Sequence, residues 1–203
     1  MSAGAGPRIR LANEADAAAC LAIYAPVVEG TPTSFELEPP SLEEMRRRIR
    51  STLERTPWLL AEDGKAGWGY AYAGPFRARP AYQWTTEATV YVHSGHRGKG
   101  VGKALYTALL ATLRAAGYRS VVGGITLPNP ASVALHEGLG FRSVGAVKAA
   151  GFKFGGWHDV GFWQLVLRGD EAPDGPPRLV ASLVGTPEWE AALRAGAHLL
   201  LRP

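Results

Sequence analysis

A mixed α/β sheet covered by helices is the fold class that the sequence predicts, on three observations. Runs of β type and helix type alternate through the middle of the chain, which is the pattern of a sheet with helices packed on it. The segment from Gly100 to Ala116 carries Val101, Leu105, Leu109 and Leu113 every four residues, so one face of a long helix must be core. At 203 residues the chain is long enough to bury a substantial apolar core without metal or disulfide staples.

In chain order, Arg8-Ile-Arg-Leu-Ala predicts a first strand. Asn13 or Asp16 then caps a helix bearing Ala17, Cys20, Leu21 and Tyr24 on one side, closed by Pro26. The chain is expected to be irregular from Val28 to Pro40, with Pro32, Pro39 and Pro40, until Ser41-Leu-Glu-Glu opens a second helix as a capping box, running from Leu42 to about Leu53. Asp63-Gly64 is a hairpin signal between Pro57-Trp-Leu-Leu-Ala-Glu and Ala66-Gly-Trp-Gly-Tyr-Ala-Tyr-Ala. Thr85 to His93 is a further β run, and Gly117 ends the long helix that follows it as a C′ glycine. Ser120 to Thr126 predicts a strand, Pro130 to Leu139 a short helix with Gly140 behind it, and Phe141 to Lys148 and Val160 to Leu167 two more strands. After Arg168 the composition shifts to Gly-Asp-Glu-Ala-Pro-Asp-Gly-Pro-Pro, which reads as a linker. Pro187 to Leu201 adds a terminal helix, so residues 1–168 are the expected domain and 169–203 an extension.

The 22 Lys and Arg against 18 Asp and Glu leave a net charge of +4, too mild to demand nucleic acid but favourable to a small polyanion where the excess is local. The single cysteine, Cys20, sits in an apolar helical pattern as a small buried hydrophobe, and one cysteine forms no disulfide within the chain. Met1 to Pro7 lacks the basic start and apolar run of a signal peptide, and no stretch approaches the roughly 18 apolar residues of a membrane span. The expectation is a soluble protein of the cytoplasm.

The local charge excess lies in His96-Arg-Gly-Lys-Gly-Val-Gly-Lys103, between the Thr85–His93 β run and the long helix. Glycines there allow a turn whose N–H groups point one way, and the helix start adds free donors, so the stretch is built for an anion. A Walker-type phosphate loop is excluded, since its first glycine would fall on Arg97 and Ala104 has no hydroxyl; the dinucleotide spacing fails as well, with glycines at 98, 100 and 102. Arg97-x-x-Gly100-x-Gly102 instead resembles the acetyl-CoA loop of the GNAT superfamily of N-acyltransferases. Three further blocks narrow the likeness: Ala73 to Val92, Leu127 to Phe141, and Ala149 to Gln164 are similar to the phosphinothricin and methionine sulfoximine N-acetyltransferases, from roughly Ile9 to Leu167.

That resemblance implies a central, mixed but mostly antiparallel twisted sheet with one splayed strand pair, flanked by helices, and acetyl-CoA as co-substrate with no metal. Arg97, Gly98, Lys99, Gly100, Val101, Gly102 and Lys103 would hold the pyrophosphate, their N–H groups and basic side chains surrounding it. The backbone of Val90, Tyr91 and Val92 would bind the pantetheine amides and the thioester carbonyl. Asn129 and Ser132 stand where they can bond the pantetheine arm, or simply start a helix.

Acetyl transfer to an amine needs a base for the ammonium, a polarised carbonyl and a proton for the thiolate. Glu87 is the candidate base. A charge in an otherwise apolar β run is costly unless it faces a cleft, and burial raises its pKa toward a useful range. His136 occupies a block, Leu135-His-Glu-Gly-Leu-Gly-Phe141, in which the superfamily often has a tyrosine that protonates the thiolate; the imidazole either donates that proton or shapes the pocket. Tyr106 is a weaker candidate, read as core or helix surface.

For the acceptor, Arg77 and Arg79 precede the catalytic strand and suit the anionic end of a zwitterionic amino-acid analogue, with Tyr82, Thr86 and Phe35 lining the rest by analogy. Related enzymes have Lys where this chain has Arg77, which leaves the preferred substrate open. His158-Asp159 has no nucleophile motif and no second histidine at ligand spacing beside it, and reads as packing or part of a dimer cleft, with Trp157 and Trp163 as interface anchors. The resemblance thus implies a homodimer acting on a small amino-acid analogue, with no nucleic-acid or membrane partner. Two other readings stay open: another acceptor, such as a different amino acid, a polyamine or a protein N-terminus, and a non-catalytic acyl-CoA or nucleic-acid binding module.

Overall fold

The computed structural model describes residues 6–64 and 66–200; residues 1–5, within the stretch read for a leader, and Leu201 at the end of the expected last helix lie outside them. Strand β1 (Arg8–Leu11) leads into a 3₁₀ turn capped by Asn13, whose side chain accepts from Ala15 N at 2.9 Å while Asp16 reaches back to Asn13 N at 2.8 Å. Helix α1 (Ala17–Gly30) follows. Pro26 does not close it. The ring removes one hydrogen bond from the helix interior, yet Val27 and Val28 just beyond are buried at 5% and 0% exposure, and that packing carries the helix to Gly30. Thr31 then caps it, with both its N–H and its hydroxyl on Val27 O.

Ser41 starts α2 (Leu42–Leu53) by accepting from Glu44 N at 3.1 Å, but the Glu44 carboxylate turns outward to Arg47 and Arg48 instead of completing a capping box. Strands β2 (Trp58–Glu62) and β3 (Gly67–Pro75) flank the Asp63-Gly64 turn, where Gly64 has φ +82°. Next come β4 (Thr85–Val92), α3 (Val101–Ala116), β5 (Ser120–Leu127) and α4 (Pro130–Gly138). Gly117, at φ +96°, gives α3 its left-handed terminus. The last two strands, β6 (Arg142–Lys153) and β7 (Gly156–Val166), are longer than expected: the aromatic and glycine-rich stretch between them is itself a hairpin, turning at Phe154-Gly155.

The seven strands form one sheet in the order β1-β2-β3-β4-β5-β7-β6, with every neighbouring pair antiparallel except β4 and β5. That parallel pair needs a crossover, and α3 supplies it. Alternation along β2 serves two layers: Trp58 and Leu60 face α1 and α2 with Cys20, Ile23, Met45 and Ile49, while Leu59 and Ala61 face α3 with Leu105, Leu109 and Leu113. Burial pushes the Cys20 thiol up to about 12, and it behaves as a hydrophobe. Trp163 is a correction of another kind. It is 6% exposed, in the α3 layer, with its Nε1 donating to Glu137 at 3.2 Å, so it anchors the core rather than an interface; Trp157 is 68% exposed.

Residues beyond 168 return to this core. Arg119 pairs with Asp170, Trp84 Nε1 donates to Gly175 O at 2.9 Å, and Arg178 N donates to Ala116 O at 2.8 Å. One turn, α5 (Val180–Leu183), and helix α6 (Pro187–Leu200) then bury Val180, Leu183 and Trp189 against α3. At Gly196 the helix backbones touch: a Cβ there would stand 2.5 Å from Ala104 O and 2.8 Å from Ala108 Cβ, so only glycine permits the crossing. Among the described residues no helix is long and apolar enough to cross a membrane.

Candidate active site

The site begins with a failure of pairing. Strands β4 and β5 are in register only over Thr85–Glu87 against Ser120–Val122, and beyond Glu87 they diverge. From Ala88 to Val92 the chain bonds β3 on one edge and offers an unpaired edge on the other, facing the likewise unpaired edge of β5 from Gly123 onward. Backbone groups left free inside a fold require a partner. The mouth of this fork opens toward the loop that follows β4.

That loop is shaped for an anion. Gly98 and Gly100 hold φ of +72° and +78°, a conformation that side chains with a Cβ rarely adopt. Gly100 is the N-cap of α3, and the first helical bond runs from Ala104 N to Gly100 O, so the N–H groups of Val101, Gly102 and Lys103 have no helical partner. Arg97 folds back, its Nε donating to Val92 O at 3.3 Å, while Lys99 and Lys103 are free of ion pairs among the described residues. Gly102 packs on α4, where a Cβ would meet Leu135 at 3.3 Å. Donors, positive dipole end and cations converge at the mouth of the fork, which fits the pyrophosphate and pantetheine of a coenzyme A thioester.

Two adjacent glycines on β5 seat the two acid–base candidates on opposite faces. A Cβ at Gly124 would lie 3.2 Å from Glu87 Oε1 and 3.6 Å from the Phe162 ring; one at Gly123 would lie 2.5 Å from His136 Nε2. Successive strand residues point to opposite sides, so Glu87 and His136 are separated by the sheet and meet only through the fork. Glu87 is half-buried, and no hydrogen bond or ion pair reaches its carboxylate among the described residues. Burial raises its pKa above the ordinary carboxylate value, with the Arg77 charge opposing.

His136, at 3% exposure, donates from Nδ1 to Ser132 O at 2.8 Å, which turns the unprotonated Nε2 toward the Tyr106 hydroxyl at 3.3 Å. Burial lowers its pKa, so the ring is neutral at neutral pH. Tyr106 lies 1% exposed in the core, and its single hydroxyl proton is shared between His136 Nε2 and, at 3.2 Å, Ala88 O, the first carbonyl past the last paired residue. It belongs to the vertex of the fork and to no helix surface.

The other expected site residues divide. Val90 and Val92 pack toward α3, and Tyr91 edges onto Tyr24 at 4.8 Å, so these three offer the fork their backbone alone. Asn129 Oδ1 caps α4 by accepting from Ser132 N at 3.1 Å, leaving its amide donor for the fork. Arg77 and Tyr82 line a cavity of about 620 Å³ with Phe76, Val122 and Phe162; it adjoins Glu87, since Val122 is that residue's register partner. The same two residues, with Arg79, also line a second cavity of about 540 Å³ that Arg55 and Tyr118 complete. Thr86 sits on the face opposite Glu87, 1% exposed, its hydroxyl donating to Gly74 O at 2.5 Å. Phe35 lies in neither lining; its ring rests on Gly151, 6.4 Å from His158. His158 Nε2 bonds Lys153 O and Asp159 pairs with Lys148, so these neighbours form no triad. Gly123, Gly124, Phe162 and Arg55 escaped the sequence reading, although two glycines inside a strand signal a close approach.

Comparison with known proteins agrees with this geometry. The acetyltransferase (GNAT) domain family matches residues 9–161. The phosphinothricin N-acetyltransferase of Streptomyces viridochromogenes is 48% identical over 172 residues, covering 85% of this chain and 92% of that protein. The L-methionine sulfoximine/L-methionine sulfone acetyltransferase of Salmonella typhimurium is 35% identical over 167 residues, 82% of this chain and 98% of that one. Among solved structures, a GNAT superfamily phosphinothricin acetyltransferase from Sinorhizobium meliloti in complex with AcCoA superposes with a TM-score of 0.80 at 36% identity, covering 84% of this chain and 95% of that one.

Proposed function

Because the chain belongs to the GNAT family of acetyl-CoA-dependent N-acetyltransferases, we propose that it acetylates the α-amine of a glutamate-like amino-acid analogue of the phosphinothricin or methionine sulfoximine kind, with Glu87 as general base. The observation that carries this reading is the unpartnered, half-buried Glu87 carboxylate at the fork, beside a cavity that holds Arg77. A carboxylate so placed takes a proton from an ammonium directly or through one water, and its raised pKa improves it as a base. Arg77, with its guanidinium 5.1 Å over the Phe76 ring, receives the anionic end of the acceptor, and Arg79 supports it from the neighbouring cavity.

Acetyl-CoA supplies the activated acyl group. The loop from Arg97 to Lys103 holds its pyrophosphate, and the open edge at Val90–Val92 aligns its amides and polarises the thioester carbonyl. On the opposite face the Tyr106 and His136 pair stands at the vertex, where it shapes the sulfur pocket. Direct transfer follows, with no covalent enzyme intermediate.

We further propose a cytoplasmic homodimer. Strand β6 is an edge strand, and its hairpin exposes Val144, Val147, Phe152, Phe154 and Trp157 on a long unpaired border that a second copy covers.

The test is thiol release from acetyl-CoA across a panel of amino-acid analogues. L-Phosphinothricin and L-methionine sulfoximine are expected to give the largest kcat/KM; a polyamine or a protein N-terminus outranking both would overturn the acceptor class.

A further inference from the structure

Lys153 is the last residue of β6 and is 5% exposed. Its ammonium meets no carboxylate. Instead Nζ donates to three backbone carbonyls, Val28 O at 2.6 Å, Ser34 O at 2.8 Å and Glu36 O at 2.7 Å, which uses every proton it has. Val28 lies in the last turn of α1, where carbonyls lack helical partners and the dipole favours a cation. The Glu36 side chain is occupied elsewhere, by Arg48 at 2.6 Å. One buried charge therefore ties the tip of the β6–β7 hairpin to both the end of α1 and the irregular segment after it.

That segment crosses the face of the sheet on which Glu87 stands. Thr126, two residues past Gly124 and so on the same side of β5, donates its hydroxyl to Thr33 O at 3.3 Å. Ser34 Oγ lies 2.6 Å from the Tyr24 hydroxyl, and Tyr24 packs on Tyr91 of β4. Phe35 lays its ring on Gly151, where a Cβ would come within 2.4 Å of it. Ties from β5, α1 and β6 thus fix where residues 31–36 run, and Lys153 makes the strongest of them because its bonds are charge-assisted.

We infer that Lys153 is a positioning residue for the acceptor: by pinning residues 31–36 across the Glu87 face, where Thr33 meets Thr126, it sets that segment as a wall on the approach to the amine site. This rests on the reading that the amine arrives on that face. The cation touches neither substrate; its effect passes through the carbonyls it holds. Removing it unties the wall and leaves the coenzyme loop, which leads into α3 on the opposite face of the sheet, as it was.

Lys153→Met keeps the length of the side chain and deletes the charge. Expected are a rise of about tenfold or more in KM for the amine, with kcat and KM for acetyl-CoA within about twofold of the parent, and faster amide hydrogen exchange confined to residues 28–37. Gly151→Ala, which forces the Phe35 ring and with it the 31–36 segment to shift while leaving Lys153 in place, is expected to give the same selective rise and serves if Lys153→Met fails to fold. Unchanged KM for the amine in the variant that folds, or equal losses toward both substrates, would overturn the inference. Exchange that stays protected over 28–37 in Lys153→Met would remove the clamp itself. Should the parent protein accept no amine on the panel, the proposed function falls, while the exchange measurement still decides whether Lys153 holds the segment.

Discussion

At the β4–β5 fork the two faces of the sheet treat a titratable group in opposite ways. On the α1 side Glu87 is half-buried with no partner, held over Gly124 and against Phe162. On the α3 side His136 is buried at 3% exposure with both ring nitrogens engaged, over Gly123. Each glycine leaves room for the group above it, but one group is poised to change its charge and the other is held neutral. The contrast bears on reactivity: a group buried without a partner can exchange a proton without losing an existing bond, whereas one buried with its bonds made cannot.

The sharpest way to break that contrast is Glu87→Gln. Loss of a general base predicts a fall of about 10²–10⁴-fold in kcat/KM, read by thiol release, with the fold intact by circular dichroism. Activity within a few-fold of the parent would strip Glu87 of its role and leave the two faces equivalent. Next in size is His136→Ala, which vacates a packed site against Tyr106 and Phe141 and removes the bonds to Ser132 and Tyr106. A loss of about 2–4 kcal/mol in urea unfolding is expected, with a smaller effect on kcat than Glu87→Gln produces. A destabilised His136→Ala that has also lost as much activity as Glu87→Gln would make the His136 face the more reactive one.

The smallest effect concerns stability and pH. Burial raises the pKa of Glu87 in the folded chain, so at neutral pH the native state carries an ionised carboxylate that the unfolded chain solvates better. The stability associated with the raised pKa is fully present below the unfolded value, about 4.3, and is lost as pH rises through the folded one. Glu87→Gln is therefore expected to be more stable than the parent at neutral pH, by a margin that disappears under acid. Urea midpoints of the two proteins across pH check this, and a margin that does not vary with pH would show that Glu87 titrates normally.

What the sequence made legible follows the range of the forces involved. Local chemistry was readable: the Ser41 cap, the Gly117 terminus, the glycine loop at the start of α3 and the isolated charge of Glu87 all declare themselves within a few residues. Pro26 misled because a local rule was overridden by burial of Val27 and Val28 at a distance. The Lys153 clamp joins residues 117 to 125 positions apart in sequence, and no periodicity reports a bond of that span. The same holds for α6 on α3, for Trp163 in the core, and for the assignment of Glu87 and His136 to opposite faces, which depends on β4 and β5 lying side by side.

The fork has one more consequence, for how such a site changes over generations. Its unpaired edges come from where two strands part, not from which side chains they carry, since Val90, Tyr91 and Val92 face the two packed layers and turn only their main chain to the opening. Substitutions there that still fill those layers leave the row of donors and acceptors where it is. That part of the site is thus inherited with the architecture, out of reach of most point mutations, while the cavity lined by the side chains of Arg77 and Tyr82 is exposed to drift.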